Sequence, residues 1–235
     1  MRLLSLTTEY FNDFVGLLFP NHCEACEQPL GKGEDIICLF CLYELPQTGY
    51  HKEPENPVEK LFWGRVEVAR AASLYFFHGK TRVQHLLHKL KYHGKKEIGH
   101  KLGRIYGETL KESDFASGIE LIAPVPLHEK KKRKRGYNQS DFFAMGLSES
   151  LGIEWSPEIL SRTIYTETQT GKTKFERWGN VGEVFELKDK GNVAGRHVLL
   201  VDDVITTGAT LEACTHALLQ SPGVKVSIAT IAVAH

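Results

Sequence analysis

The sequence predicts an α/β fold with a mainly parallel sheet, preceded by a small cysteine-bearing module. Three observations predict it. Short apolar runs of strand type alternate with stretches of helical period, the pattern of strand–helix–strand units. One such run, Val198 to Val201, leads into two adjacent carboxylates, a turn rich in Thr and Gly, and a further helical stretch. Four of the five cysteines fall into two Cys-x-x-Cys pairs within the N-terminal part of the chain.

The elements follow in chain order. Leu3 to Phe19 reads as an amphipathic helix. It holds Glu9, Asn12 and Asp13, and no small-residue cleavage site follows it. Export is therefore not supported, and a cytoplasmic location is expected. Residues 20–50 carry the cysteines and little that could make a core. His51 to Pro57 is polar and contains two prolines, which reads as a linker. The expected domains are thus 1–50, an N-terminal helix with the cysteine module; 51–65, a linker; and 66–235, the α/β domain. Residues 66–77 suit a strand. Val83, Leu86, Leu87 and Leu90 recur at helical spacing, as do Ile98, Leu102, Ile105 and Leu110 in a helix over 97–111. Ile119 to Val125 is a short apolar run, and Ser140 is placed to cap a helix through Leu151. Residues 156–182 are polar and aperiodic. A helix over 208–219 and a strand over 224–233 close the domain.

The 235 residues carry 29 basic and 29 acidic side chains, so net charge alone does not make the chain a polyanion binder. Hydrophobic residues at 42% suffice for a buried core. The C-terminal apolar run is too short to span a membrane, and no membrane insertion is expected.

Cys23-x-x-Cys26 and Cys38-x-x-Cys41 are separated by 11 residues that include Pro29, Gly31 and Gly33 for turns. Four thiolates in tetrahedral array suit Zn²⁺, and a module this short gains much of its folding energy from a metal. A redox dithiol pair, two disulfides or an iron–sulfur cluster are the competing readings. A closed four-cysteine site implies a structural role or partner binding, not zinc catalysis. Cys214, within the last helix, reads as a small buried hydrophobe.

The stretch Asp202-Asp203-Val204-Ile205-Thr206-Thr207-Gly208-Ala209-Thr210 holds the most chemistry. Backbone N–H groups of the turn and the helix N-terminus form an anion site, Gly208 allows close approach, and three Thr hydroxyls can donate. Two carboxylates would repel a bare phosphate. They suit a ligand whose hydroxyls or metal lie a few ångströms from it, such as a ribose 5-phosphate. A further candidate is the run of six basic residues from Lys130 to Arg135, followed by Tyr137. It reads as a loop that is solvated, contacts a pyrophosphate through the forks of Arg133 and Arg135, or tracks a nucleic-acid backbone.

The loop resembles the phosphoribosyl-pyrophosphate (PRPP) signature of type I phosphoribosyltransferases. Further motifs narrow the resemblance. They are Leu18-Phe19-Pro20-x-x-Cys23-x-x-Cys26 with Cys38-x-x-Cys41, Lys91-Tyr92-x-Gly94, Pro124-Val125-Pro126-Leu127-His128, and Arg133-x-Arg135-Gly136-Tyr137-Asn138-Gln139-Ser140. Arg162, Thr166, Gln169, Arg177, Asn180 and Phe185 continue the series. Together they resemble the ComF family of competence-associated, phosphoribosyltransferase-like proteins over nearly the whole chain. That family pattern has an arginine near Ile164 and an apolar residue at Lys172, where this chain departs from it.

The resemblance implies the type I phosphoribosyltransferase fold with a Cys₄ zinc module, PRPP as ligand with Mg²⁺, and a role in DNA uptake. It implies that residues 202–210 bind PRPP, with Asp202 and Asp203 holding the ribose. Val125, Pro126, Lys91, Arg133 and Arg135 would meet the pyrophosphate, and Arg177 would help close the site. Transfer of a phosphoribosyl group to a nitrogen nucleophile is the implied chemistry. Two other functions stay open: a single-stranded DNA-binding adaptor of the competence machinery regulated by PRPP, and salvage of a nucleobase.

Overall fold

The computed structural model describes residues 20–79, 81–162, 185–188 and 190–234, with the side chains at 190 and 191 excepted. The expected N-terminal helix, and Ile164, Thr166, Gln169, Lys172, Arg177 and Asn180, lie outside the described residues. The chain divides into two compact units, Met1–Leu45 and Pro46–His235.

In the first unit, tight turns carry the two cysteine pairs and a short helix, α1 (Leu39–Glu44), follows the second. Glu34 organises the turn before it. Its carboxylate accepts from Gly31 N at 2.7 Å and from Leu39 N at 2.8 Å, so the first free amide of α1 is satisfied. Those two amides hold its carboxyl below the usual range.

The second unit opens with the segment expected to be a linker, and here the structure differs. Asn56, nearly fully buried, caps α2 (Pro57–Lys60): its Oδ1 accepts from Val58 N at 2.9 Å and Glu59 N at 3.2 Å. Its Nδ2 donates to the carbonyls of Tyr50, Glu53 and Ala71. Pro57 occupies the first helical turn, where its missing N–H costs nothing. Val58 and Phe62 are fully buried in the core of the domain. Prolines that read as a linker thus begin a capped turn, and the domain's core starts before residue 66.

The remaining elements are β1 (Arg70–Phe77), α3 (Arg82–Tyr92), α4 (Lys96–Lys111), β2 (Leu121–Pro124), α5 (Glu129–Arg135), α6 (Gln139–Leu151), β3 (Leu160–Arg162), β4 (Phe185–Leu187), α7 (Lys190–Val193), β5 (His197–Ile205), α8 (Ala209–Leu218) and β6 (Lys225–Ala234). A four-stranded sheet runs in the order β1-β6-β5-β2, every pair parallel. β3 and β4 form a separate antiparallel pair. Val198, Leu199, Leu200 and Val201 in β5 are fully buried, as a parallel strand covered on both faces requires. Cys214 is fully buried on α8, as its sequence context suggests.

α4 and α6 pack backbone to backbone. Gly99, Gly103 and Gly107 recur every four residues on α4 and so share one face. A Cβ on Gly103 would sit 2.3 Å from the Phe143 carbonyl oxygen, and one on Gly146 would sit 2.1 Å from that of His100. This contact fixes α6, and with it the residues at the start of α6.

Three local expectations change. β5 does not end at Val201: it stays paired with β6 through Ile205, so Asp202 and Asp203 are strand residues. The basic run is no loop. It forms α5, started by His128, whose Nδ1 accepts from Lys130 N at 3.2 Å, and stopped at Gly136 with φ of 81°. Ser140 lies inside α6 and does not cap it; Asn138 holds the N-cap position.

Candidate functional site

A cavity opens at the carboxyl ends of β5 and β2, the edge where open parallel sheets bind ligands. Asp202, Asp203 and Thr210 line one part of it. Lys91, Lys131, Arg135 and Arg162 bring four cations to the same space, and Val125, Pro126 and Leu127 supply the loop after β2. Ligands that combine negative charge with hydrogen-bonding hydroxyls suit such a mixed lining.

The acids are held by their neighbours. Asp202 Oδ1 accepts from Ser140 Oγ at 2.9 Å and from Asp203 N at 2.8 Å. Asp203 pairs with Lys91 Nζ at 3.0 Å. Burial, and then the adjacent charge of Asp203, push the Asp202 carboxyl up to about 7 against the pull of the Asp203 amide, Ser140 and Lys91. Asp202 thus changes charge near neutral pH, and an incoming cation or hydroxyl donor would favour its ionised form.

The Thr-Thr-Gly turn follows directly. Gly208 has φ of 75° and begins α8. The backbone angle requires glycine, and a Cβ there would also lie close to the Phe62 ring, at 3.3 Å. The N–H groups of Thr207 and Gly208 have no acceptor among the described residues. They stand at the positive end of α8, an arrangement that receives anions. Arg65 braces the turn from outside: its Nη1 donates to Thr207 O and to Leu61 O, both at 2.9 Å, while Nη2 pairs with Glu212 on α8. Ile205 is buried and turns its side chain to the core, and Val204 lies opposite Ala232 in the sheet. Ala209 is exposed at the first position of α8.

The stretch from Arg135 to Ser140 builds the opposite wall residue by residue. Arg135 stacks its guanidinium 5.2 Å from the Tyr92 ring centre and donates to Gln139 Oε1 at 2.7 Å. Tyr137 Oη donates to Leu90 O, which ties the segment to α3 and so to Lys91. Asn138 Nδ2 donates to Val125 O at 3.0 Å and to Asp141 Oδ1 at 2.7 Å, fixing the loop after β2. Burial holds the Asp141 carboxyl above its ordinary range.

The sequence-based candidates are sorted by this geometry. Asp202, Asp203, Thr210, Val125, Pro126, Lys91 and Arg135 meet at the cavity. Arg133 does not: its side chain is 84% exposed on α5, 3.9 Å from Glu129, because consecutive basic residues on a helix cannot all face one way. Lys131, four residues before Arg135 and hence on the same face, takes its place. Arg177 lies outside the described residues. Sequence reasoning named Asn138, Gln139 and Ser140 only as marks of resemblance, and missed Arg65, Phe62 and Lys131. Helical phase would have found Lys131; nothing local to Arg65 or Phe62 points across more than a hundred residues.

In the first unit, the sulfurs of Cys23, Cys26, Cys38 and Cys41 all lie within 4.8 Å of one another. Cys26 and Cys38 sulfurs are 3.8 Å apart. A tetrahedral ion with metal–sulfur bonds of about 2.3 Å needs sulfurs roughly 3.8 Å apart, so the cluster fits a thiolate-bound metal. Cys38 N donates to Cys23 Sγ at 3.3 Å, and Cys41 N to Cys38 Sγ at 3.4 Å. Burial raises the Cys23 thiol, but amides of Cys38, Cys26 and Ala25 outweigh it and bring it down to about 7, while burial pushes Cys41 up.

A phosphoribosyl transferase domain model matches residues 139–235. The DNA utilization protein YhgH of Escherichia coli strain K12 is 31% identical over 229 residues, covering 90% of this chain and 96% of that protein. Competence protein F of Haemophilus influenzae is 41% identical over 107 residues, covering 45% of this chain and 46% of its own. Among solved structures, glutamine PRPP amidotransferase of B. subtilis aligns with 60% of this chain and 30% of its own, at 21% identity and a TM-score of 0.41.

Proposed function

The chain belongs to the ComF family of phosphoribosyltransferase-like proteins, and on that footing we propose that it binds PRPP at the carboxyl end of β5 and acts on its phosphoribosyl group in DNA uptake or utilisation. The observation that carries this reading is the meeting of Asp202 and Asp203 with four cations and the start of α8 in one cavity. Asp202 and Asp203 would accept hydrogen bonds from the ribose hydroxyls. The amides of Thr207 and Gly208 and the Thr210 hydroxyl would hold the 5-phosphate. Lys91, Lys131 and Arg135 would face the diphosphate. Mg²⁺, arriving with the diphosphate, would supply further neutralisation of its charge.

Such a site supports transfer by placement and charge. The bond from C1 to the diphosphate oxygen breaks, pyrophosphate leaves with the electron pair, and a nitrogen nucleophile bonds to C1 and then loses its proton. Positive charge develops on the sugar, where the two carboxylates lie, and negative charge on the leaving group, where the cations lie. Lys91 also holds Asp203 in place before ligand arrives. Zn²⁺ would be held by Cys23, Cys26, Cys38 and Cys41 as a structural ion, since four thiolates leave it no open position for chemistry.

Replacing Asp202 and Asp203 together by Asn should reduce Mg²⁺-PRPP affinity at least a hundredfold by calorimetry while circular dichroism stays unchanged. Unchanged affinity would overturn the assignment. A second reading has its own observation: Lys130, Lys131, Lys132, Arg133 and Lys134 are all exposed on α5. They would track the backbone of single-stranded DNA, with affinity falling steeply as salt rises. Salt-independent or absent DNA binding would remove that reading and leave the first intact.

A further inference from the structure

The peptide joining Thr207 to Gly208 is weakly held by its own sequence. Thr207 is exposed, and the local tie from Ala209 N to Thr207 Oγ1 is long, at 3.4 Å. Glycine adopts either sign of φ at little cost, so at Gly208 this plane can turn over and carry its N–H away from the anion turn. The peptide is trans, and a trans peptide points its C=O and N–H in opposite directions. Whatever grips the Thr207 carbonyl therefore aims the Gly208 amide.

Arg65 is that grip. Its Nη1 donates at 2.9 Å to Thr207 O and at 2.9 Å to Leu61 O, which ties the turn to the end of α2. Phe62 packs against the same peptide from the Gly208 side, where a Cβ would come within 3.3 Å of its ring. With the carbonyl drawn to Arg65, the Gly208 N–H faces away from it, and that N–H has no acceptor among the described residues. Arg65 Nη2 pairs with Glu212 in the first turn of α8, so the carboxylate offsets the guanidinium charge. Arg65 is not part of the cavity lining. It acts on the turn through the carbonyl bond. We propose that Arg65 is a positioning residue for the sugar-phosphate end of the ligand, fixing the Thr207–Gly208 peptide so that the Gly208 amide donates to the 5-phosphate. A protein that presents this amide only part of the time binds more weakly by that fraction. The inference rests on the PRPP reading and adds to it a residue 142 positions from the carbonyl it holds.

The test uses the full chain and two variants. Arg65→Met with Glu212→Gln removes the grip and keeps the net charge. Glu212→Gln alone breaks the ion pair and keeps the bond to Thr207. Each protein is titrated calorimetrically with Mg²⁺-PRPP, ribose 5-phosphate and Mg²⁺-pyrophosphate, and melted without ligand. The Gly208 amide is followed by ¹⁵N NMR. The double variant should bind PRPP and ribose 5-phosphate at least fivefold more weakly, with pyrophosphate within twofold of the parent. Glu212→Gln alone should weaken none of the three more than twofold. Saturating ribose 5-phosphate should move the Gly208 amide resonance in the parent and in Glu212→Gln, and less than half as far in the double variant. Parental ribose 5-phosphate affinity in the double variant, or a parent resonance that ignores this ligand, would overturn the inference and spare the PRPP reading. Equal loss of all three ligands with a lowered melting temperature, the same loss in Glu212→Gln alone, or failure of the double variant to fold would make Arg65 a structural residue and also overturn it. A parent that binds neither PRPP nor ribose 5-phosphate would instead sink the PRPP reading itself.

Discussion

The cysteine unit and the β5 edge solve opposite problems. In residues 20–45 the buried apolar side chains other than cysteine are few: Ala25, Ile37 and Leu45. Four sulfurs sit where a core would be, so the site itself must supply the folding energy once metal binds. At β5 the core is ample, with Val198 to Val201, Leu211 and Leu218 at or near full burial. There the site spends stability. Two adjacent carboxylates, one of them raised to about 7, are tolerated because the strand beneath them is secured by apolar packing. The difference teaches that removing a site residue should unfold the first region and firm up the second.

The largest test of that contrast is metal removal. A strong chelator, or Cys41→Ser, should abolish amide-exchange protection across residues 20–45, an effect on the order of 10 kcal/mol for small zinc-folded units. Protection that persists in demonstrably metal-free protein would break the comparison. Next comes the packing that holds α6 against α4. Gly146→Ala should gain helix propensity of about 1 kcal/mol yet lose roughly 3 kcal/mol net in urea unfolding, because the new methyl meets a carbonyl at 2.1 Å. A neutral or stabilising result would show that the helices slide apart freely.

The smallest effect is the most diagnostic. The folded-state pKa of Asp202 is raised to about 7, above that of an unfolded aspartate near 3.9. The folded form therefore binds the proton more tightly. Stability tied to it is complete below about pH 4 and lost as pH climbs through about 7. Asp202→Asn should accordingly be more stable than the parent at pH 8, with the gap closing below about pH 4. A constant gap across that range would mean that Asp202 does not bear the burden assigned to it. The same substitution is expected to weaken PRPP binding, so stability and binding should move in opposite directions.

Much of this was legible in the chain. Alternating strand and helix periods gave the parallel sheet, because a covered parallel strand must be apolar on both faces. Two Cys-x-x-Cys pairs announced a thiolate cluster, since the spacing alone brings each pair of sulfurs together. The acid pair before Thr-Thr-Gly marked the carboxyl end of a strand and the start of a helix. The linker was misjudged because Pro54 and Pro57 signal only a break in regular bonding, whereas Asn56 finds Tyr50, Glu53 and Ala71 only in three dimensions. The basic run reads as a loop because charge does not reveal helical phase.

By itself, then, the sequence determined what is local: periodicity, sulfur spacing, and the succession of strand, acids, glycine and helix. Tertiary contacts settle which cations reach the acids, that Lys91 and Ser140 hold them, and that Arg133 is turned away. The physical reason is that periodicity and turn chemistry act over a few bonds, whereas burial and hydrogen-bond satisfaction depend on segments some 60 to more than 100 residues apart, such as Ser140 with Asp202 and Lys91 with Asp203.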